Sequence, residues 1–257
     1  QVCFCLSLLT LPDLEMPGGE PAWSLRPDGS GVVEWSDGDL TDAQLLAFSK
    51  TRMSNVLAAL KAKVGDGACE CVLDLSKNQL TGATGLAPIL ASIREHQVHV
   101  TVLKLFKNPI NDDGAYALAK HVREAGRMKM PLMELHLSDN GMGPEGCLAL
   151  MQAAQDCDSY PAQLKLRTVH YKRKCLWLRL ERSALVPEPQ AVLHSAKAAG
   201  CVLCVTDGKD DPVDPKASVH LHFSFLSFSG TIPVEGKGYG PQPVKGKGKG
   251  KGKGSEW

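Results

Sequence analysis

Asp74, His136 and Ser138 supply the acid, base and nucleophile types of a hydrolase, and Cys201, Cys204, His220 and His222 supply the types that hold zinc. A catalytic triad works only when the imidazole reaches both of its partners within hydrogen-bond distance. His136 and Ser138 are two residues apart, so on a strand their backbones are separated by about 6.6 Å. Asp74 falls in a related segment two strands away, roughly 10 Å across a sheet. These separations argue against a triad, and no P-loop, G-x-S-x-G or H-E-x-x-H pattern occurs in the sequence. The expectation is a protein that is not an enzyme and uses no cofactor.

Cys201 and Cys204 have the C-x-x-C spacing of a zinc knuckle, but His220 and His222 form H-x-H, which is not the usual second pair. The alternating "SVHLHFSF" reads instead as a strand with histidines on its polar face, beside cysteines packed as small apolar side chains. No metal is expected, and those four residues form the alternative ligand set. Asp207, Asp210, Asp211 and Asp214 lack the spacing of a calcium loop and read as a solvated turn.

The elements that place these residues repeat. "VLDLSKNQL" (Val72 to Leu80) recurs as "VLKLFKNPI" (Val102 to Ile110), as "MELHLSDNGM" (Met133 to Met142) and more loosely as "LWLRLERSAL" (Leu176 to Leu185). The anchors are Leu73, Leu75, Asn78 and Leu80, then Leu103, Leu105, Asn108 and Ile110, then Leu135, Leu137, Asn140 and Met142, then Leu178, Leu180, Ser183 and Leu185. A fainter copy, "VVEWSDGDL", puts Val33, Trp35, Gly38 and Leu40 in the same slots. Each asparagine is followed by turn residues and then by apolar residues at helical spacing: Leu86, Ile89, Leu90 and Ile93; Ala115, Leu118, Ala119 and Val122; Gly146, Leu148 and Met151. Asp112 or Asp113 reads as the N-cap of the middle helix. Glu70 occupies a slot that is apolar at Val100 and Leu132, which blurs the register there.

These units resemble leucine-rich repeats of the longer, ribonuclease-inhibitor-like type. The resemblance implies an α/β solenoid of about four to five repeats, a short curved parallel sheet with helices on the convex side. It also gives Asn78, Asn108 and Asn140 a structural role. An amide carries both donors and an acceptor, and can replace ladder partners lost where a strand bends into a turn. Stacking is also required physically, because one strand–helix unit cannot bury its apolar side alone.

With the leucines under the helices, the other strand face carries Val72, Asp74 and Ser76, then Val102, Lys104 and Phe106, then Glu134, His136 and Ser138, then Trp177, Arg179 and Glu181. From this concave set, Asp74, Lys104, Phe106, Glu134, His136, Trp177 and Arg179 are the candidate contacts for a protein partner, since aromatics and arginine favour interface hot spots.

The domains expected are an N-terminal cap or extension over 1–30, repeats over 31–190, a C-terminal cap segment over 191–235 and a disordered Gly/Lys-rich tail over 236–257. Among 257 residues the net charge is +1, yet 1–235 holds 23 basic and 27 acidic residues and six lysines sit in the tail. Lys245, Lys247, Lys249, Lys251 and Lys253 alternate with glycine, a flexible polycation that attracts RNA or acidic surfaces without sequence specificity. Nine scattered cysteines fit reduced thiols in the cytoplasm or nucleus better than a disulfide scaffold. "VCFCLSLLTL" is too short to span a bilayer and lacks a basic n-region, so it reads as a cap segment, and no membrane association is expected. The function expected is a non-enzymatic interaction scaffold, with an RNA-associated factor or a small-GTPase regulator as alternatives.

Overall fold

A computed structural model describes residues 21–64, 69–165, 171–182, 188–206, 214 and 216–222. The elements in chain order are β1 (Ala22–Leu25), β2 (Gly31–Glu34), α1 (Asp42–Phe48), a π-helical turn (Ser49–Met53), α2 (Ser54–Val64), β3 (Cys69–Asp74), α3 (Ala83–Glu95), β4 (Val98–Lys104) and α4 (Asp112–Arg127). They continue with β5 (Glu134–His136), α5 (Pro144–Gln155), β6 (Ala162–Lys165), β7 (Tyr171–Lys174), β8 (Leu176–Arg179), α6 (Pro189–Ala198), β9 (Leu203–Thr206) and β10 (Val219–His222). An eight-stranded sheet runs β1-β2-β3-β4-β5-β8-β10-β9, parallel throughout except for the β1–β2 hairpin. β6 and β7 form a separate antiparallel pair. This is the expected α/β repeat solenoid.

The apolar layer follows the repeat. Leu73, Leu75 and Leu80 are fully buried, as are Leu105, Ile110, Leu135, Leu137 and Met142, together with Leu86, Ile89, Leu118 and Val122 from the helices. Full burial of each such side chain is worth about 1.5–3 kcal/mol. In α5 the buried positions are Cys147, Leu150 and Met151, whereas Leu148 is only half-buried, one residue off the expected face. Glu70 pairs with His99 and stays exposed, because the register shifts between Cys71 and Val72 and brings Cys71, which is buried, opposite Val100.

The asparagines do more than tie down their own bend. Asn108 Nδ2 donates to Leu105 O in its own repeat (3.0 Å) and to Leu75 O in the preceding one (3.0 Å), while its Oδ1 accepts from Leu80 N (3.2 Å). Asn78 repeats the pattern with Leu75 O, Trp35 O, Gly38 N and Leu40 N, and Asn140 with Leu105 O and Ile110 N. Each turn is therefore completed by the amide of the next repeat. The residues just before these slots, Asp37, Lys77, Lys107 and Asp139, all have positive φ near 60°. Their N–H groups point onward to Ser76 O, Phe106 O, Ser138 O and Glu181 O.

Helix starts also link repeats. The N-cap of α4 is Asn111, which accepts from Gly114 N, so neither Asp112 nor Asp113 holds that place. Asp112 reaches forward instead, accepting from Gly143 N (2.7 Å) and Gly146 N (3.1 Å) at the start of α5. A Cβ on Gly146 would lie 2.4 Å from that carboxylate, so the close approach requires glycine. Asp42 does the same for Thr81 and Gly82 before α3.

The C-terminal end leaves the simple order. The chain runs from β8 through α6 to β9 at the sheet edge, then returns to insert β10 between β9 and β8. Within "SVHLHF", Val219–His222 does form a strand, but His220 and His222 are buried rather than solvated.

Candidate functional site

On the sheet face opposite the strand leucines, register lines the variable residues up in rows. One row is Val32, Val72, Val102, Glu134, Trp177, His220 and Cys204, and the next is Glu34, Asp74, Lys104, His136, Arg179 and His222. The second row changes from acidic to basic between Asp74 and Lys104.

Each cation in that row has a carboxylate beside it. Lys104 Nζ bonds Asp74 Oδ2 (2.9 Å), His136 Nε2 lies 3.4 Å from Glu134 Oε2, and Arg179 donates through Nε and Nη2 to Glu181 Oε2 (3.2 and 2.9 Å). Glu181 is a hub, taking Ser138 Oγ (3.3 Å) and standing 2.7 Å from His222 Nε2 as well. Burial alone would raise the Asp74 carboxyl, but the Lys104 ammonium and the Ser76 hydroxyl and amide override it and hold the group below its ordinary value. Trp177 sits among three imidazoles, with ring centroids 5.1 Å from His136, 6.5 Å from His220 and 6.0 Å from His222.

Asp74, Lys104, His136, Trp177 and Arg179 thus gather on one face and are half-buried there, and Phe106, two residues past Lys104 and beyond the end of β4, is half-buried as well. Glu134 is buried and braces His136 from beneath. The triad types stay apart: Asp74 turns to Lys104, His136 to Glu134 and Ser138 to Glu181. Register makes His220 and Cys204 neighbours, while Cys201 lies buried ahead of β9. Among the described residues no group of three or more His, Cys, Asp or Glu is arranged to hold a metal ion. Burial pushes the Cys71 and Cys147 thiols up to about 12 and Cys175 to about 11, which removes them as nucleophiles. The tail lysines 245–253, the acidic loop apart from Asp214, the opening apolar stretch, Ser183 and Leu185 fall outside the described residues.

Sequence reasoning put Glu181 on this face but did not find that His220 and His222 join it there as buried polar residues. The available signal was the H-x-H alternation of a strand, but nothing local says that the strand inserts next to Trp177.

Two segments, residues 96–119 and 129–151, match the family model for the leucine-rich repeat. The chain carries leucine-rich repeats. The matched segments contain β4, β5 and the asparagines Asn108 and Asn140, so the family pattern and the turn-bridging amides coincide. No curated protein matches the chain. Leucine-rich repeats suggest an interaction scaffold, and among the described residues no helix is long and apolar enough to cross a membrane.

Proposed function

We propose that the chain is a non-enzymatic scaffold of the ribonuclease-inhibitor-like kind that holds a protein partner on the concave face of its sheet. One observation carries this reading. Lys104, His136, Trp177 and Arg179 share a face of the sheet whose residues differ from repeat to repeat, with Phe106 just past the end of β4, while the recurring leucine and asparagine slots are used up in the core and the turns. Aromatics beside arginine, set on rigid strands, suit a hot spot with little ordering cost. The seven described cysteines are free, which supports a reducing compartment such as the cytoplasm or nucleus.

The test is capture of partners by the full chain against the double variant Phe106→Ala with Trp177→Ala. Loss of capture with an unchanged circular-dichroism spectrum supports the face. Undiminished capture moves the partner to another surface.

A further inference from the structure

Within the scaffold reading, the pairing of charges on this face says which partner chemistry it favours. In the two pairs with a permanent cation, the cation is the more exposed member: side-chain exposure is 34% for Lys104 against 13% for Asp74, and 37% for Arg179 against 3% for Glu181. The charged groups an incoming segment reaches first on these pairs are therefore the ammonium and the guanidinium. Donors remain available there. Arg179 uses Nε and Nη2 on Glu181, and among the described residues its Nη1 bonds nothing. Among the described residues Lys104 bonds one partner, Asp74. Trp177 lies two residues before Arg179 on β8, and Phe106 lies two residues after Lys104, just past the end of β4.

We propose that the row Lys104, His136 and Arg179, with Phe106 and Trp177 beside it, docks an acidic protein segment. Lys104 and Arg179 stand two strands apart, so they suit two carboxylates about 10 Å from each other. Apolar side chains of the segment lie on the two aromatic rings. A continuous phosphate backbone fits less well, because the same row carries on into Asp74 and Glu34, which repel it. The imidazole faces Glu134 on its own strand, Lys104 on β4, and Arg179 and Trp177 on β8, with His220, His222 and Glu181 beyond the indole.

The experiment is selection of a random peptide display library on the full chain at pH 6, followed by fluorescence anisotropy of the enriched peptides. Expected are peptides enriched in Asp and Glu alongside aromatic or aliphatic residues. Lys104→Gln and Arg179→Gln should each weaken binding about tenfold, the scale of one charge-assisted hydrogen bond. Should Arg179→Gln disturb the fold by stranding Glu181, Lys104→Glu on a more exposed side chain carries the same test. Basic or uncharged peptides that depend on Phe106 and Trp177 would overturn the acidic chemistry while leaving the scaffold reading standing. Peptides indifferent to Lys104, Arg179, Phe106 and Trp177 alike would overturn both, as would an absence of enrichment. Displacement of the peptide by a tighter-binding decauridylate would mark a polyanion site and overturn the protein assignment.

Discussion

The central repeats and the C-terminal strands handle buried polar groups in opposite ways. Between β3, β4 and β5, neighbouring turns are joined by neutral amides, Asn78, Asn108 and Asn140, that bond only backbone. In β8 and β10 the buried polar side chains are ionisable and bond one another, with Glu181 linking Ser138, Arg179 and His222. A neutral amide loses less on leaving water than a charge does, and its bonds do not titrate. An ionic cluster costs more to bury. The repeat therefore holds its shape with one kind of chemistry and presents its variable face with another.

The apolar layer is common to both regions and sets the largest effect. Leu135→Ala in β5 should cost about 2–5 kcal/mol in chemical denaturation, and Leu178→Ala in β8 the same, since both side chains are fully buried. A much smaller cost at Leu178 would mean that the C-terminal strands unfold separately. Asn108→Ala strands Leu80 N and leaves Leu75 O and Leu105 O with one amide each, from Asn78 and Asn140, and should cost about 1–3 kcal/mol. That cost should be equal at pH 6 and pH 8; a pH-dependent cost would break the contrast drawn above.

His121 is the exception inside the central region. Burial first, and the Arg94 guanidinium second, lower it to about 4. Above pH 6.5 it is neutral in both folded and unfolded chains and contributes no pH dependence. As pH falls from 6.5 to about 4 the unfolded chain takes up a proton that the folded chain refuses, so stability is lost across that window, by up to about 3 kcal/mol. His121→Leu should flatten the midpoint-against-pH curve there, and persistence of the full slope would place its source elsewhere. The smallest effect belongs to the turn. Lys107 has φ 55°, so Lys107→Gly relieves a left-handed side chain while adding unfolded-chain entropy, and its melting point should move by less than the equivalent of about 0.5 kcal/mol. Lys107→Val should instead destabilise by about 1–2 kcal/mol.

Leucines and asparagines at fixed spacing were readable because each slot demands one property, apolar volume or a two-sided amide, and few residues supply it. The positive-φ positions were not, because Asp37, Lys77, Lys107 and Asp139 are not glycine and their backbone geometry follows from hydrogen bonds made to the next repeat. The forward reach of Asp112 was hidden for a related reason. A carboxylate at a helix start is usually its own cap, and only the stacked neighbour shows another use. The candidate face was legible as a set of alternating residues. Its ionic pairing, and the arrival of β10 beside β8, depend on sheet order, which no local pattern encodes.

The backward reach of the asparagines gives the ladder a direction. A repeat's turn stays incomplete until its successor delivers an amide, so a chain shortened from its C-terminal side always ends on open donors and acceptors. At the end of this ladder β10 closes part of that gap, offering His222 O to Leu180 N. Repeats could be inserted or removed from the middle with little penalty, whereas the last rung must bring its own stopper.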